Sequence, residues 1–260
     1  MPKVNILFED DYLMVIDKPS GMVVDNSSTN ESRLLDIASD NKSETLEDWL
    51  IARGNKVKRG GIVHRLDKET SGVLLVAKTD EVLENLQAQF KDRKTKKEYL
   101  ALVHGLVEAP GVVEGDIGRN PGNREKFIVL DEGGKEASTE YEPIQSYKFT
   151  EDKLKEIFSD YNKIQMRKLQ NMGYGQFTLL RCFPKTGRTH QIRVHLKHIQ
   201  KPIVSDEKYV GRKMYRLDKR FCPRLFLHAR KLGFYHPKDG WMEVESELPE
   251  DLKWTISLFS

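Results

Sequence analysis

Cysteine is nearly absent from this 260-residue chain: only Cys182 and Cys222 occur, without paired spacing. That excludes a disulfide framework and a cysteine zinc site as organising features. Long apolar runs are lacking too, the longest aliphatic stretches being about six residues against the roughly 20 needed to span a bilayer. The opening Met1-Pro2-Lys3-Val4-Asn5 has no apolar signal-peptide core. A cytoplasmic protein with no membrane partner is therefore expected. Charge of one sign is not in excess: 43 Lys and Arg against 40 Asp and Glu give a net +3. Bulk charge alone thus establishes no polyanionic partner.

What is present is a soluble composition, 38% hydrophobic with a mean hydropathy of −0.59, in a chain long enough to bury a sizeable core. Cations concentrate in Arg53–Lys68, Lys91–Lys97, Lys163–Lys168, Lys185–Lys201 and Arg212–Arg224, and acids in Glu9–Asp11 and Glu243–Asp251. A single charged run is most often a solvated face. Several runs interleaved with Tyr209, Tyr215 and Phe221 suit a surface that tracks phosphates.

Apolar periodicity predicts strands over Val4–Phe8 and Tyr12–Asp17, a turn at Lys18-Pro19-Ser20-Gly21, and a polar loop from Asp25 to Ser43 with a short helical stretch at Arg33–Ala38. Thr45 caps a helix carrying Leu46, Trp49 and Leu50, which Gly54 ends. Val73–Ala77 reads as a buried strand. Thr79 opens a helix with the apolar stripe Val82, Leu83, Leu86 and Phe90. Lys97–Val103 reads as a strand with Tyr99, Ala101 and Val103 alternating against Glu98, Leu100 and Leu102. Short antiparallel strands follow over Gly105–Tyr147, then one amphipathic helix within Lys148–Met172 carrying Leu154, Ile157, Phe158, Tyr161 and Ile164. Gln176–Phe183 is a strand, Thr189 begins a helix burying Ile192, Leu196 and Ile199, and strands near Leu225–His228 and Trp241–Val244 precede a last short helix. No repeat and no linker divides the chain. The pattern is α+β with a mostly antiparallel mixed sheet and flanking helices, and residues 1–260 are expected to form a single domain.

Chemistry concentrates in His64-Arg65-Leu66-Asp67-Lys68-Glu69-Thr70-Ser71-Gly72, set between two strand-like runs. A lone aspartate is usually a turn residue. Here cations surround it, and nearby positive charge keeps a carboxylate ionised. Ionised, it can serve as nucleophile or base, while the cations can hold a phosphodiester. A second constellation is Lys185-Thr186-Gly187-Arg188-Thr189-His190-Gln191-Ile192-Arg193-Val194-His195-Leu196, either a plain basic helix or a source of Arg193 as ion-pair partner for Asp67. Tyr99 is a core candidate on composition, yet a base removed from its helix needs a flat surface to stack on. His190, His195 and His198 crowd one helix, but no H-E-x-x-H order or cysteine set accompanies them, so no metal is expected. Pro184-Lys185-Thr186-Gly187 lacks the G-x-x-x-x-G-K-S/T order of a phosphate loop.

The run from His64 to Gly72 resembles the signature of the RluA family of RNA pseudouridine synthases. Asn5–Val24 resembles that family's opening strands and Lys-Pro-x-Gly turn, Lys97–Gly105 its tyrosine strand, Gly118–Phe127 (with Arg119, Arg124 and Lys126) a loop of like position, Thr186–Leu196 its basic helix, and Leu227-His228-Ala229 its Leu-His-Ala segment. The resemblance implies isomerisation of uridine to pseudouridine in ribosomal or transfer RNA by base flipping, without metal or organic cofactor. It implies Asp67 as the essential carboxylate, acting by attack on the sugar or by proton removal to a glycal. Tyr99 would stack on the base, and Arg193 would pair with Asp67. Arg65 would fill the gap left in the RNA. Substrate contacts are expected at His64, Arg65, Thr70, Arg188, His190, Gln191 and Ile192.

The chain departs from that pattern in two ways. The family pattern starts near residue 4, so no separate N-terminal RNA-binding domain is expected ahead of it. Segments 25–43 and 148–172 look longer than the family's connections, and the cations Lys153, Lys155, Lys163, Arg167 and Lys168 make the latter a candidate RNA-selecting insertion. A binding or assembly factor with little turnover and a metal-dependent hydrolase are the competing classes. A monomer is the default expectation.

Overall fold

A computed structural model describes residues 3–25 and 45–259; the expected 25–43 loop and its helical stretch, Asp25 apart, lie outside the described residues. The chain divides into two compact units, Met1–Lys96 with Lys231–Glu247, and Lys97–Arg230 with Leu248–Ser260. No helix among the described residues is long and apolar enough to cross a membrane.

In the first unit, β1 (Asn5–Glu9) and β2 (Leu13–Lys18) form the expected hairpin, and β2 pairs antiparallel with β3 (Ser71–Ala77). Asp10 sets the hairpin turn by accepting the N–H groups of Tyr12 and Leu13 at 2.8 and 2.9 Å. Helix α1 (Leu46–Ala52) starts as its sequence predicts: Thr45 accepts the Asp48 N–H, and the Asp48 carboxylate reaches back to the Thr45 N–H. A tight 3₁₀ turn, Lys58–Gly61, then leads to the Asp67 motif. At Gly61, φ is +76° and a Cβ would lie 2.0 Å from the Ala77 carbonyl oxygen, so only glycine fits. Helix α2 (Asp80–Lys91) is capped by Thr79 and buries Val82, Leu83 and Leu86. Its stripe also takes in Gln89, whose amide exchanges two 2.8 Å hydrogen bonds with the Tyr235 backbone. Strand β9 (Leu227–His236), from Lys231 onward in this unit, pairs antiparallel with β10 (Gly240–Glu245).

The second unit holds β4 (Lys96–His104, from Lys97), β5 (Gly111–Asn120), β6 (Asn123–Leu130), β7 (Lys135–Lys148) and β8 (Gln176–Pro184). They pair antiparallel in the order β4-β8-β7-β5-β6. These strands are longer than the sequence suggested. In β4 the expected alternation gives way to burial of every residue from Leu100 to His104, because apolar residues occupy both faces. Phe149, Phe177 and Phe221 meet at ring separations of 5.1 to 5.6 Å in the core.

Segment 148–172 is not one helix. It forms α3 (Glu151–Ile157) and α4 (Lys163–Asn171), because Asn162 and Gln165 make a capping box that restarts the helix, and Phe158 turns wholly into the core. Ile164, expected on the buried stripe, is 67% exposed. Helix α5 (Gln191–His198) begins two residues later than expected, with His190 at φ 55° as its cap. Helices α6 (Arg212–Asp218) and α7 (Glu250–Ser257) complete the unit. Both units combine antiparallel ladders with flanking helices, an α+β architecture.

His195 lies on the buried face of α5 with Nδ1 3.0 Å from the Thr139 hydroxyl. Burial, reinforced by the nearby His198, lowers its pKa to about 4. The unfolded chain, with an ordinary histidine, binds a proton first as pH falls. Stability should therefore be full above pH ~6.5 and decline as pH drops toward ~4. Urea titrations across that range test this: His195→Asn, which can keep the Thr139 bond, should flatten the decline, and an unchanged slope would contradict the assignment.

Candidate active site

Local hydrogen bonding fixes the Asp67 motif from below. The Thr70 N–H donates to the Asp67 carbonyl at 3.1 Å, closing a tight turn with Lys68 and Glu69 at its corner. The Lys18–Gly21 turn grips this corner. Lys18, fully buried, donates from Nζ to the carbonyls of Pro19 and Met22 at 2.9 Å and of Lys68 at 3.2 Å. The Gly21 N–H also reaches the Lys68 carbonyl, at 2.8 Å, and the Ser20 hydroxyl donates to the Glu69 carbonyl at 2.7 Å. Asp67 is left half-buried, Arg65 exposed and Thr70 buried. His64 fastens the other end: Nε2 accepts the Leu75 N–H at 3.1 Å and the ring stacks on Phe90 at 4.5 Å.

In the second unit Tyr99 is half-buried on β4, opposite Cys182 of β8. Strand β8 runs directly into the Lys185–His190 loop and α5, and Lys97 Nζ donates to the Thr186 carbonyl at 3.0 Å. The tyrosine strand and the basic helix are thus brought together. Gln191 pins the loop with its whole amide: Oε1 accepts from the Thr186 hydroxyl (2.6 Å) and the Arg188 N–H (3.0 Å). Its Nε2 donates to the Ser138 carbonyl (2.9 Å) and Thr139 Oγ1 (3.0 Å). Gln191 and Ile192 are both buried, so the contacts seen for them are with the protein.

Arg193 is 3% exposed and forks onto Asp206, Nε and one Nη each meeting a carboxylate oxygen at 2.8 Å. This bidentate geometry is one that lysine cannot match. Asp206 is held in turn by the N–H groups of Lys208 and Tyr209, and the Tyr209 ring lies 5.2 Å from the guanidinium. The Tyr209 hydroxyl accepts the Phe127 N–H at 3.1 Å and bonds His190 Nδ1 at 2.9 Å. Where the sequence reading gave Arg193 only Asp67 as partner, Asp206 is the carboxylate that orients it within its own unit.

Beside these residues the β5–β6 hairpin, expected as the Gly118–Phe127 loop, borders a cleft of about 480 Å³. Arg119, Lys135 and Arg188 line it with Phe127 and no carboxylate. Arg188 is steadied by the Glu136 carbonyl, 3.0 Å from its Nε. Such a cleft suits a phosphodiester beside a planar group.

The three helix histidines do not converge: His195 is core, His198 exposed, and His190 bonds Tyr209. Among the described residues one group, Asp10, His236 and Asp239, has ligand atoms within 4.8 Å of one another. There His236 Nε2 faces Asp10 at 2.9 Å, while Nδ1 accepts the backbone N–H groups of Lys238 and Asp239. The imidazole closes a turn. Sequence reasoning missed Lys18, Ser20, Asp206 and Tyr209 as supports. The Lys-Pro-x-Gly turn was a signal for the first two, whereas Asp206 sits in a stretch with no motif.

With this geometry in view, comparison with known proteins is informative. Residues 12–198 match the family described as RNA pseudouridylate synthase. Ribosomal large subunit pseudouridine synthase D of Nitrosomonas europaea is 39% identical over 259 residues, covering 96% of this chain and 63% of that protein. An uncharacterized RNA pseudouridine synthase of Aquifex aeolicus is 38% identical over 260 residues, covering 98% and 72%. The solved structure of human RNA pseudouridylate synthase domain containing 1 superposes with a TM-score of 0.68 at 24% identity, covering 95% of this chain and 84% of that one. At that identity the likeness is one of fold.

Lys18→Met keeps the stem but leaves three carbonyls without their ammonium donor. Loss of about 1–3 kcal/mol is expected in urea unfolding. A midpoint equal to or above that of the parent protein would show that the ammonium does not brace the turn.

Proposed function

The chain belongs to the RNA pseudouridylate synthase family, and we propose that it isomerises uridine to pseudouridine within RNA. The bond between ribose carbon 1′ and base N1 breaks and the freed uracil turns in place. Carbon 5 then bonds to carbon 1′, losing its proton while N1 gains one. Atoms and electrons balance within the nucleotide, so no redox partner enters.

In this reading Asp67 is the essential carboxylate, in either of two routes: attack on the ribose, or proton removal to a glycal. Tyr99 stacks on the everted base and takes part in removing its carbon-5 proton. Arg193 is the guanidinium assigned to pair with the reacting carboxylate, and Arg65 fills the space left in the RNA. Everting a base costs a few kcal/mol, which phosphate contacts must offset. The cation-lined cleft at Arg119 and Arg188 supports that part of the reading. The proposal takes residues 1–260 as a single catalytic domain working as a cytoplasmic monomer. The names of its relatives make large-subunit ribosomal RNA the first substrate to test, with transfer RNA second.

The observation that carries this reading is the family match over residues 12–198, within which Asp67, Tyr99 and Arg193 all fall. The test is tritium release from ribosomal RNA carrying 5-tritiated uridine. Release should match the pseudouridine formed and persist in chelator. It should weaken steeply as salt rises at subsaturating RNA, since phosphate contacts are lost with counterion uptake. Binding without release from either RNA class would favour a factor with little turnover, and loss of release in chelator would favour a metal-dependent enzyme.

A further inference from the structure

The sequence makes Lys153, Lys155, Lys163, Arg167 and Lys168 of segment 148–172 equivalent, and the structure separates them. Lys153 and Lys155 of α3 are neutralised by Glu156 at 2.8 Å and Asp152 at 3.3 Å. Lys163, Arg167 and Lys168 of α4 are exposed and form no ion pair among the described residues. Helix α6 repeats the pattern: Arg212, Lys213 and Arg216 are exposed and likewise without a carboxylate partner.

The two helices adjoin. Lys213 Nζ lies 3.0 Å from the sulfur of Met172, the residue that caps α4, and Leu169 and Leu217 share one core cluster. Residues four apart on a helix share a face. Lys163 therefore aligns with Arg167, Lys168 with Met172, and Arg212 with Arg216, so Lys168 and Lys213 both border Met172 and bring the two sets of cations together at the contact. No acid occurs on α4. The one acid of α6, Asp218, is fully buried and accepts hydrogen bonds from the Tyr174 hydroxyl and the Ser205 N–H, with His104 at 2.9 Å.

Two nearby arginines, by contrast, are paired: Arg220 with Asp160, and Arg224 with Asp251 at 2.6 Å. Like charges four apart on a helix repel one another. Six unneutralised cations in one patch, with carboxylates kept to its border or its interior, complement a polyanion.

We propose that α4 and α6 together form a second RNA-contact surface, which holds the phosphate backbone of the substrate and is separate from the residues assigned to the reaction. It rests on the reading that the substrate is RNA. It extends the anticipated role of segment 148–172 to α6 and withdraws it from α3. The contacts are to phosphate, so the surface adds affinity and register without reading base identity.

The test measures binding of the full chain to a large-subunit ribosomal RNA transcript as salt is varied. Three variants are compared: Lys163→Gln/Arg167→Gln/Lys168→Gln, Arg212→Gln/Lys213→Gln/Arg216→Gln, and the control Lys153→Gln/Lys155→Gln. Each of the first two should weaken binding on the order of tenfold and reduce the slope of log affinity against log salt by about 2–3. The KM for RNA in tritium release should rise in proportion, and the control should bind like the parent. The six cations of the triple variants and Lys155 are exposed and Lys153 is half-buried, and an unchanged Tm verifies folding. Unchanged affinity and slope in both triple variants, with normal tritium release by the parent, would overturn the surface and leave the enzymatic reading intact. Failure of the parent to release tritium from any RNA would instead remove the reading on which the surface rests. Loss of binding to anionic phospholipid vesicles, with RNA affinity untouched, would assign the patch to a membrane and overturn the proposal.

Discussion

A buried ammonium is the contact on which the rest depends. Lys18 sits at the end of β2 with no exposed surface, and its charge is shared among three backbone carbonyls. A lysine is rarely placed there, because removing a cation from water is costly unless polar partners replace the solvent. Here the replacement comes partly from the Lys68 carbonyl, next to Asp67. One side chain therefore joins two turns remote in sequence and fixes the backbone that presents the carboxylate. Ser20 and the Gly21 N–H add to the same seam. The carboxylate itself stays half-buried above this hydrogen-bonded base, as the role proposed for it requires.

The second unit solves the same problem with a polar network. Thr186, Gln191 and Thr139 tie the basic loop to β7, and Thr139 in turn meets His195. Asp206 and Tyr209 orient Arg193, and the Tyr209 hydroxyl extends that order to His190 and the β6 backbone. Buried polar groups of this kind are tolerated where they find partners, as Gln191 and Arg193 do. The loop carrying Arg188 and the helix carrying Arg193 are thereby tied to β7.

Much of this was legible in the sequence, for identifiable reasons. Thr45, Thr79 and the apolar spacing of α2 are local signals, and the elements they predict occur where expected. The break between α3 and α4 was missed because apolar spacing ran through it, while the capping box at Asn162 and Gln165 outweighed that pattern. Alternation in β4 failed because a strand covered on both faces does not alternate. Gln191 looked like a substrate contact because it is polar and lies in a functional motif. Only its four partners reveal that its amide belongs to the fold. Asp206 carried no readable signal, since its importance comes from a guanidinium one helix away.

The central claim is that the carboxylate presented by the braced turn is the group the reaction cannot do without. The most direct measurement replaces it with its uncharged isostere, Asp67→Asn, and follows tritium release and RNA affinity together. Release should fall at least about a thousandfold, with affinity changed little, since the substitution removes one charge and no volume. An Asp67→Asn protein that still releases tritium at a rate near that of the parent would contradict the account.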